Sequence, residues 1–141
     1  MKNVLIILAI MLSATLANAQ KVASSKVPAN VKAALQKNYP NVTDVKWEKE
    51  HGNYEAEFKV DGLEYSVLLT GSGVVLETEV ELAENELPQK ARTYVATTYK
   101  GSKIKEASRI TTNKGVVTYE AEVNGKDLLF DSEGNFIEIA H

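Results

Sequence analysis

Few residues in this chain of 141 have side chains suited to catalysis. The sequence contains no Cys and only two histidines, His51 and His141. Neither histidine lies in a G-x-S-x-G or H-E-x-x-H pattern, the local signatures of a catalytic serine or zinc. Two histidines form a conventional zinc site only if carboxylates complete it. We therefore expect no catalytic residue, no metal and no cofactor, and predict a non-enzymatic protein; the alternative is a site assembled from distant carboxylates.

One short segment offers oxygen ligands at close spacing, as a calcium loop would: Asp131-Ser132-Glu133-Gly134-Asn135. An EF-hand needs a longer loop with Gly at its sixth position and a bidentate Glu at its twelfth, and these are missing. The corresponding segment of the first half, Thr70-Gly71-Ser72-Gly73, contains no carboxylate. We interpret both segments as hairpin turns, with a weak calcium site as the alternative for the second.

Charged residues that alternate with apolar ones are the more distinctive chemical feature. Such a pattern predicts strands with one face buried and the other charged, because successive side chains point to opposite faces. Six charged residues are predicted to form a binding surface on the open face: Glu55, Glu57, Lys59, Glu64, Glu120 and Glu122. They would steer a partner and set its register, although such a face is often only solvated.

The strands that carry these residues belong to an internal repeat. The phrase Tyr-Glu-Ala-Glu occurs at Tyr54 and again at Tyr119. Before it, apolar residues with helical spacing from Val27 to Tyr39 recur at a constant offset of 60. A Pro opens each predicted helix, where its missing N–H costs no hydrogen bond. The first helix should end at Tyr39 and the second at Gly101, a typical C-terminal stop.

Turn signals divide the rest of each half into strands. Asp61-Gly62 and Asn124-Gly125 lie between alternating runs and are strong hairpin signals, because tight primed turns need positive φ. We predict an α+β fold of two tandem repeats, about 27–82 and 87–141. Each repeat has one helix followed by a four-stranded antiparallel sheet, and the helices pack on one face. Together they form a single compact domain, residues 20–141.

The first 19 residues have the features of a secretory signal peptide. They contain Lys2, an apolar run from Val4 to Leu12 and small residues at Ala17 and Ala19, and the run is too short to span a bilayer comfortably. We predict cleavage after Ala19, a periplasmic or secreted location, and no membrane association afterwards. The formal net charge of −3 does not favour a nucleic-acid partner.

The repeat resembles the PepSY-like domains of exported bacterial proteins, whose fold is likened to the β-lactamase inhibitor protein. The resemblance rests on the helix openings VPANVKAALQKNYP and LPQKARTYVATTYK, the hairpin VTDVKWEKEHGNYEAEF and the closing LLFDSEGNFIE. It implies an α+β fold and an exported location. It transfers no catalytic or inhibitory residue.

Two functions are consistent with these features. The first is an exported binding module for a protein or peptide, of unspecified partner and oligomeric state; an inhibitor is one version of it. It would use the open sheet face or add a strand at a sheet edge. The second is a carrier or sensor of a small ligand in an apolar pocket between the repeats, lined by Tyr65, Tyr119 and Phe130.

Overall fold

The computed structural model describes residues 19–140. Two α-helices and nine strands make up this part of the chain. The helices are α1 (Ala29–Asn38) and α2 (Gln89–Thr98), each preceded by a short 3-10 helix, Ser24–Lys26 and Glu84–Glu86. The strands are β1 (Gln20–Val22), β2 (Lys46–Glu50), β3 (Asn53–Val60), β4 (Leu63–Leu69), β5 (Val75–Glu81), β6 (Ile104–Thr112), β7 (Val117–Val123), β8 (Lys126–Asp131) and β9 (Phe136–Ala140).

Both helices start directly after a proline, as predicted. Pro28 and Pro88 have extended backbones and immediately precede the first helical residue. The helices have the same length and are offset by 60 residues. However, α2 ends at Thr98, so the predicted end at Gly101 is wrong. The helix is already broken at Tyr99, and Gly101, at φ +78°, shapes the turn that follows.

Each helix buries one narrow stripe against the sheet. In α1 the stripe contains Val31 and Leu35, and in α2 it contains Ala91 and Val95. Residues four apart lie on the same side of a helix, so a single contact line suffices for both. This spacing was visible in the sequence.

Tight two-residue turns connect several of the strands. His51, Asp61 and Asn124 have φ of 48°, 52° and 54°, and a glycine with positive φ follows each of them. Two consecutive positive φ values match the right-handed twist of the flanking strands. These turns therefore set the register of three hairpins.

The strands form one antiparallel sheet in sequential order, β1 to β9. The α+β prediction is confirmed, but the repeats share this sheet instead of building one four-stranded sheet each. Strands β5 and β6 join them, with Glu77 opposite Thr112 and Glu81 opposite Ser108. This pairing satisfies backbone groups that would otherwise lie at an exposed edge. The short strand β1, which was not predicted, adds the ninth member beside β2.

Each repeat nevertheless has its own hydrophobic core. The first core includes Val27, Val31, Leu35, Trp47, Tyr54, Ala56, Phe58, Val67 and Leu69. The second includes Leu87, Ala91, Val95, Ala107, Ala121, Val123, Leu128 and Phe130. Directly paired strand residues share a face, and the pairing places both cores on the same side of the sheet. The other side is therefore left without a helix.

A glycine in a hairpin turn packs against the first turn of each helix, Gly73 against α1 and Gly134 against α2. A Cβ added to Gly134, whose φ is +85°, would lie 2.7 Å from Pro88 Cβ and 2.9 Å from the Ala91 nitrogen. A Cβ added to Gly73 would lie 2.8 Å from the Asn30 carbonyl oxygen. Only glycine allows the two backbones to come this close.

No helix within residues 19–140 is long and apolar enough to cross a membrane. Residues 1–18 of the predicted signal peptide lie outside the described residues, as does His141.

Candidate binding face

The side of the sheet without helices, which we call the acidic face, carries a cleft of about 1050 Å³. Twelve carboxylates and two lysines line it, although the whole chain has a formal net charge of only −3. Negative charge is therefore concentrated on this side. The carboxylates are Asp44, Glu48, Glu50, Glu55, Glu57, Glu64, Glu79, Glu81, Glu106, Glu120, Glu122 and Asp127, and the lysines are Lys46 and Lys59.

The six residues predicted to form the binding surface all line this cleft: Glu55, Glu57, Lys59, Glu64, Glu120 and Glu122. Two of the glutamates have a basic partner. Lys59 Nζ lies 3.0 Å from Glu64 Oε1, and Lys105 Nζ lies 3.1 Å from Glu122 Oε1. The role of the six residues in binding stays a prediction.

Three apolar side chains lie among the carboxylates of the acidic face. Leu68, Ile110 and Leu129 are 4–7% exposed and do not belong to either core beneath the helices. Leu129 pairs with Glu120, and Ile110 pairs with Glu79. Leu68 and Leu129 account for part of the broken alternation in the sequence. The charged side chains around them must cover them, which brings those charges out of water.

Burial of carboxyl groups at the centre of the face raises their pKa values. The pKa of Glu120 rises from 4.5 to about 8 because the group is buried and because other acids lie nearby, Glu79 first among them. Glu77 is only 6% exposed, and burial together with Glu79 and Glu55 raises its pKa to about 7. Both effects disfavour the charged carboxylate.

Glu79 and Glu55 show the same trend. Burial raises the pKa of Glu79, and the nearby Ser108 hydroxyl opposes this rise. Burial also raises the pKa of Glu55, while the Ser66 hydroxyl, which donates a short hydrogen bond to its carboxylate, acts in the opposite direction. The centre of the face thus holds several carboxyl groups whose ionisation is unfavourable.

Two groups of oxygen atoms are candidates for metal binding. Ligand atoms of Glu48, Glu55 and Glu57 lie within 4.8 Å of one another, but acidic side chains often cluster without an ion. In the turn after β8, Asp131 Oδ1 accepts hydrogen bonds from the backbone N–H groups of Glu133 and Asn135, both at 2.9 Å. These bonds fit the interpretation of this segment as a hairpin turn.

One of the two histidines, His51, lies within the described residues. His51 occupies the β2–β3 turn with its side chain 76% exposed, and its Nδ1 lies 3.4 Å from Glu50 Oε1. Among the described residues, no group of three His, Asp or Glu side chains close enough to hold a metal ion includes His51.

Only two of the three residues predicted for an apolar pocket between the repeats come together, since Tyr119 pairs directly with Phe130 while Tyr65 lies on β4 of the first repeat. Phe130 is fully buried in the second core, and Tyr119 packs against that core. Tyr65 instead lines a separate groove of about 340 Å³ on the helix side, with Tyr39 and Arg109 among its neighbours.

Four residues of the acidic face were missed by sequence reasoning: Glu77, Glu79, Ser108 and Asp127. The alternation in Glu77-Thr78-Glu79-Val80-Glu81 could have revealed the glutamates, because it has the same period as the strands that were recognised. Ser108 carried no comparable signal.

Two tandem helix-and-strand repeats that share one sheet with an open face define a β-lactamase-inhibitor-like α+β protein. A family model described as "Putative beta-lactamase-inhibitor-like, PepSY-like" matches residues 14–76 and 61–138. The chain belongs to this PepSY-like family, and the resemblance noted in the sequence is confirmed. No curated protein matches the sequence.

Solved structures from Bacteroides species share the fold. A BLIP-like protein from Bacteroides fragilis NCTC 9343 is 28% identical, with a TM-score of 0.64 over 80% of this chain and 84% of that one. A DUF2874 family protein from Bacteroides uniformis ATCC 8492 is 24% identical, with a TM-score of 0.72 over 80% and 88%. A protein from Bacteroides eggerthii DSM 20697, described as "putative periplasmic", is 17% identical, with a TM-score of 0.74 over 81% and 88%.

Proposed function

We propose that this protein is an exported, non-enzymatic binding module whose acidic face recognises a basic segment of a protein or peptide in the periplasm. The observation that carries the proposal is the cleft lined by twelve carboxylates and two lysines. Its charge complements a partner rich in lysine and arginine.

The energetics of the face support a cationic partner. Carboxyl groups such as Glu120 are held together in a partly dehydrated site where their charges repel one another. An opposite charge placed among them would favour the ionised form and relieve the repulsion. Complementary charge also speeds up encounter and excludes acidic partners.

The periplasmic location is supported by the signal-peptide pattern of residues 1–19 and by the description of the relative from Bacteroides eggerthii. Inhibition of an exported hydrolase is one form that the function could take. It is supported only by the name of the family, since a shared fold does not by itself carry a function.

Short fluorescent peptides test the proposal. Arginine- and lysine-rich, neutral and glutamate-rich peptides of equal length are titrated with the purified protein, and fluorescence anisotropy is followed at low and high salt. The basic peptide should bind best, and its affinity should fall as salt screens the face. Equal binding of all three peptides would contradict the proposal.

Charge reversal provides the matched control. The double variant Glu57→Lys, Glu106→Lys changes two exposed residues of the cleft. The double variant Glu84→Lys, Glu133→Lys makes the same change in net charge outside it. Only the first should lose affinity for the basic peptide by tenfold or more, on the order of one strong charge pair. Equal losses would mean that net charge, and not the face, controls binding.

A further inference from the structure

Ser108 lies on β6 at the centre of the acidic face. Its direct neighbours across the sheet are Glu81 on β5 and Glu120 on β7. Only 7% of the residue is exposed. Its Oγ lies near Glu79 and opposes the rise that burial causes in that group's pKa, but it forms no hydrogen bond of normal geometry with any group in residues 19–140. A buried hydroxyl without a partner is unfavourable, so a bound group that pairs with it is favoured.

The carboxylates next to Ser108 also lack a cation. Within the described part of the chain no basic side chain forms an ion pair with Glu79 or Glu120. Lys105 reaches this side of the sheet, but its ammonium group lies on Glu122 at the rim. The centre therefore offers unpaired acceptors for positive charge.

Glu79 and Glu120 belong to no cluster of three possible metal ligands among the described residues, which favours an organic cation over a metal ion. Calcium and magnesium hold oxygen ligands at about 2.0–2.6 Å, so those oxygens must lie within roughly 5 Å of one another. Among residues 19–140, the carboxylates that meet such a limit are Glu48, Glu55 and Glu57, and no such group of three includes Glu79 or Glu120. A guanidinium group spreads five donors over a rigid plane and can reach acceptors that are farther apart.

Apolar contacts beside these acceptors suit the rest of an arginine side chain. Ile110 pairs with Glu79 and Leu129 pairs with Glu120, and both apolar residues are buried on the same face. Long basic side chains pack their methylene groups on apolar surface while the charged end is hydrogen-bonded. A side chain that reaches the deeply buried Ser108 must also be long.

We propose that Ser108, Glu79 and Glu120 form a socket for one arginine side chain of the bound protein or peptide. The guanidinium group donates hydrogen bonds to Ser108 Oγ and to the two carboxylates, and the methylene groups contact Ile110 and Leu129. The inference rests on the proposed function and specifies its anchor residue.

Two basic peptides of equal charge test the socket. One carries a single arginine flanked by lysines, and in the other a lysine replaces the arginine. Both are titrated with the purified protein by fluorescence anisotropy. The arginine peptide should bind about tenfold more tightly, the order expected for additional hydrogen bonds to charged groups.

Variants of the protein then test whether the preference for the arginine peptide depends on the proposed socket residues. Ser108→Ala and Glu79→Gln should reduce the arginine preference to about twofold or less. The first removes one acceptor of the guanidinium group, and the second replaces a charged, two-oxygen acceptor by a neutral amide. Glu57→Gln, an exposed change on the same face, should weaken both peptides equally and keep the preference. Far-UV circular dichroism should show that Ser108→Ala keeps the fold of the free protein, since the change removes only one hydroxyl group.

The possible outcomes separate the socket from the general function. If both peptides bind equally, or if Ser108→Ala keeps the preference, the socket is overturned while the proposed function stands. If neither peptide binds, both are overturned. If calcium displaces the arginine peptide at constant ionic strength and Glu79→Gln abolishes this competition, the centre is a metal site and the arginine socket is wrong.

Discussion

Glu120 is the residue whose replacement tests most directly whether the centre of the acidic face is dehydrated. Glu120→Gln keeps the size of the side chain and its capacity for hydrogen bonds but removes the charge. The raised pKa of Glu120 means that the folded protein holds this proton more tightly than the unfolded chain does. The contribution of Glu120 to stability is therefore greatest at low pH and declines as pH rises above the unfolded pKa.

The expected size follows from the pKa change. A rise from 4.5 to about 8 corresponds to about 5 kcal/mol at most, because one pKa unit equals about 1.4 kcal/mol. The loss accumulates between about pH 5 and pH 8, at up to roughly 1.4 kcal/mol per pH unit, and stops growing above pH 8. Glu77, raised to about 7, adds a further loss that is not strictly additive, because the two groups interact.

Urea unfolding at several pH values measures the effect. The single tryptophan, Trp47, is 5% exposed in the first core, so its fluorescence reports unfolding there, and far-UV circular dichroism reports the whole sheet. Near pH 5 the variant and the unmodified protein should have similar free energies of unfolding. At pH 9 Glu120→Gln should be more stable by several kcal/mol, seen as a higher urea midpoint at an unchanged slope.

An exposed carboxylate of the same face provides the control. Glu57→Gln makes the same change at an exposed position and should leave the free energy of unfolding at pH 9 nearly unchanged. Dehydration of Glu120 is refuted if Glu120→Gln is no more stable than the unmodified protein at pH 9. It is also refuted if the unmodified protein has the same stability at pH 5 and pH 8.

Three other predictions concern the turns, the hydrophobic cores and the pH dependence of peptide binding. Gly134→Ala should destabilise the protein by about 3 kcal/mol or more, because the added methyl group would collide with the start of α2 and φ is positive. Gly125→Ala also strains a positive φ but its methyl group has free space, so it should cost about 1 kcal/mol in the same urea assay. Phe130 is fully buried, so Phe130→Ala should lower the free energy of unfolding by about 3–5 kcal/mol in thermal or urea unfolding. Phe136 is 36% exposed, so Phe136→Ala should lower it clearly less, and equal losses would contradict this difference in burial. Affinity for a basic peptide should rise from about pH 6 to pH 8, since a bound cation expels the proton from Glu120, and an affinity independent of pH in that range would contradict this.

The elements of this fold could be predicted because their signals are local. The helix starts follow from proline and i, i+4 apolar spacing, and the hairpins follow from pairs such as Asp61-Gly62, whose positive φ values a two-residue turn requires. The end of α2 was misplaced because Gly101 serves the following turn. The shared sheet was missed because pairing of β5 with β6 joins residues about 30 positions apart, for which the sequence holds no turn signal.

The charged side of each strand was likewise fixed by the sequence alone, since alternation assigns Glu55, Glu57 and Glu120 to one face whatever the neighbouring strands are. The tertiary structure decided which of those charges meet. The β5–β6 junction brings Glu79 from the first repeat next to Ser108 and Glu120 from the second. Burial and repulsion then raise the free energy of ionising these glutamates. Both effects depend on which side chains neighbouring strands bring together, and the residues of one strand alone do not determine them.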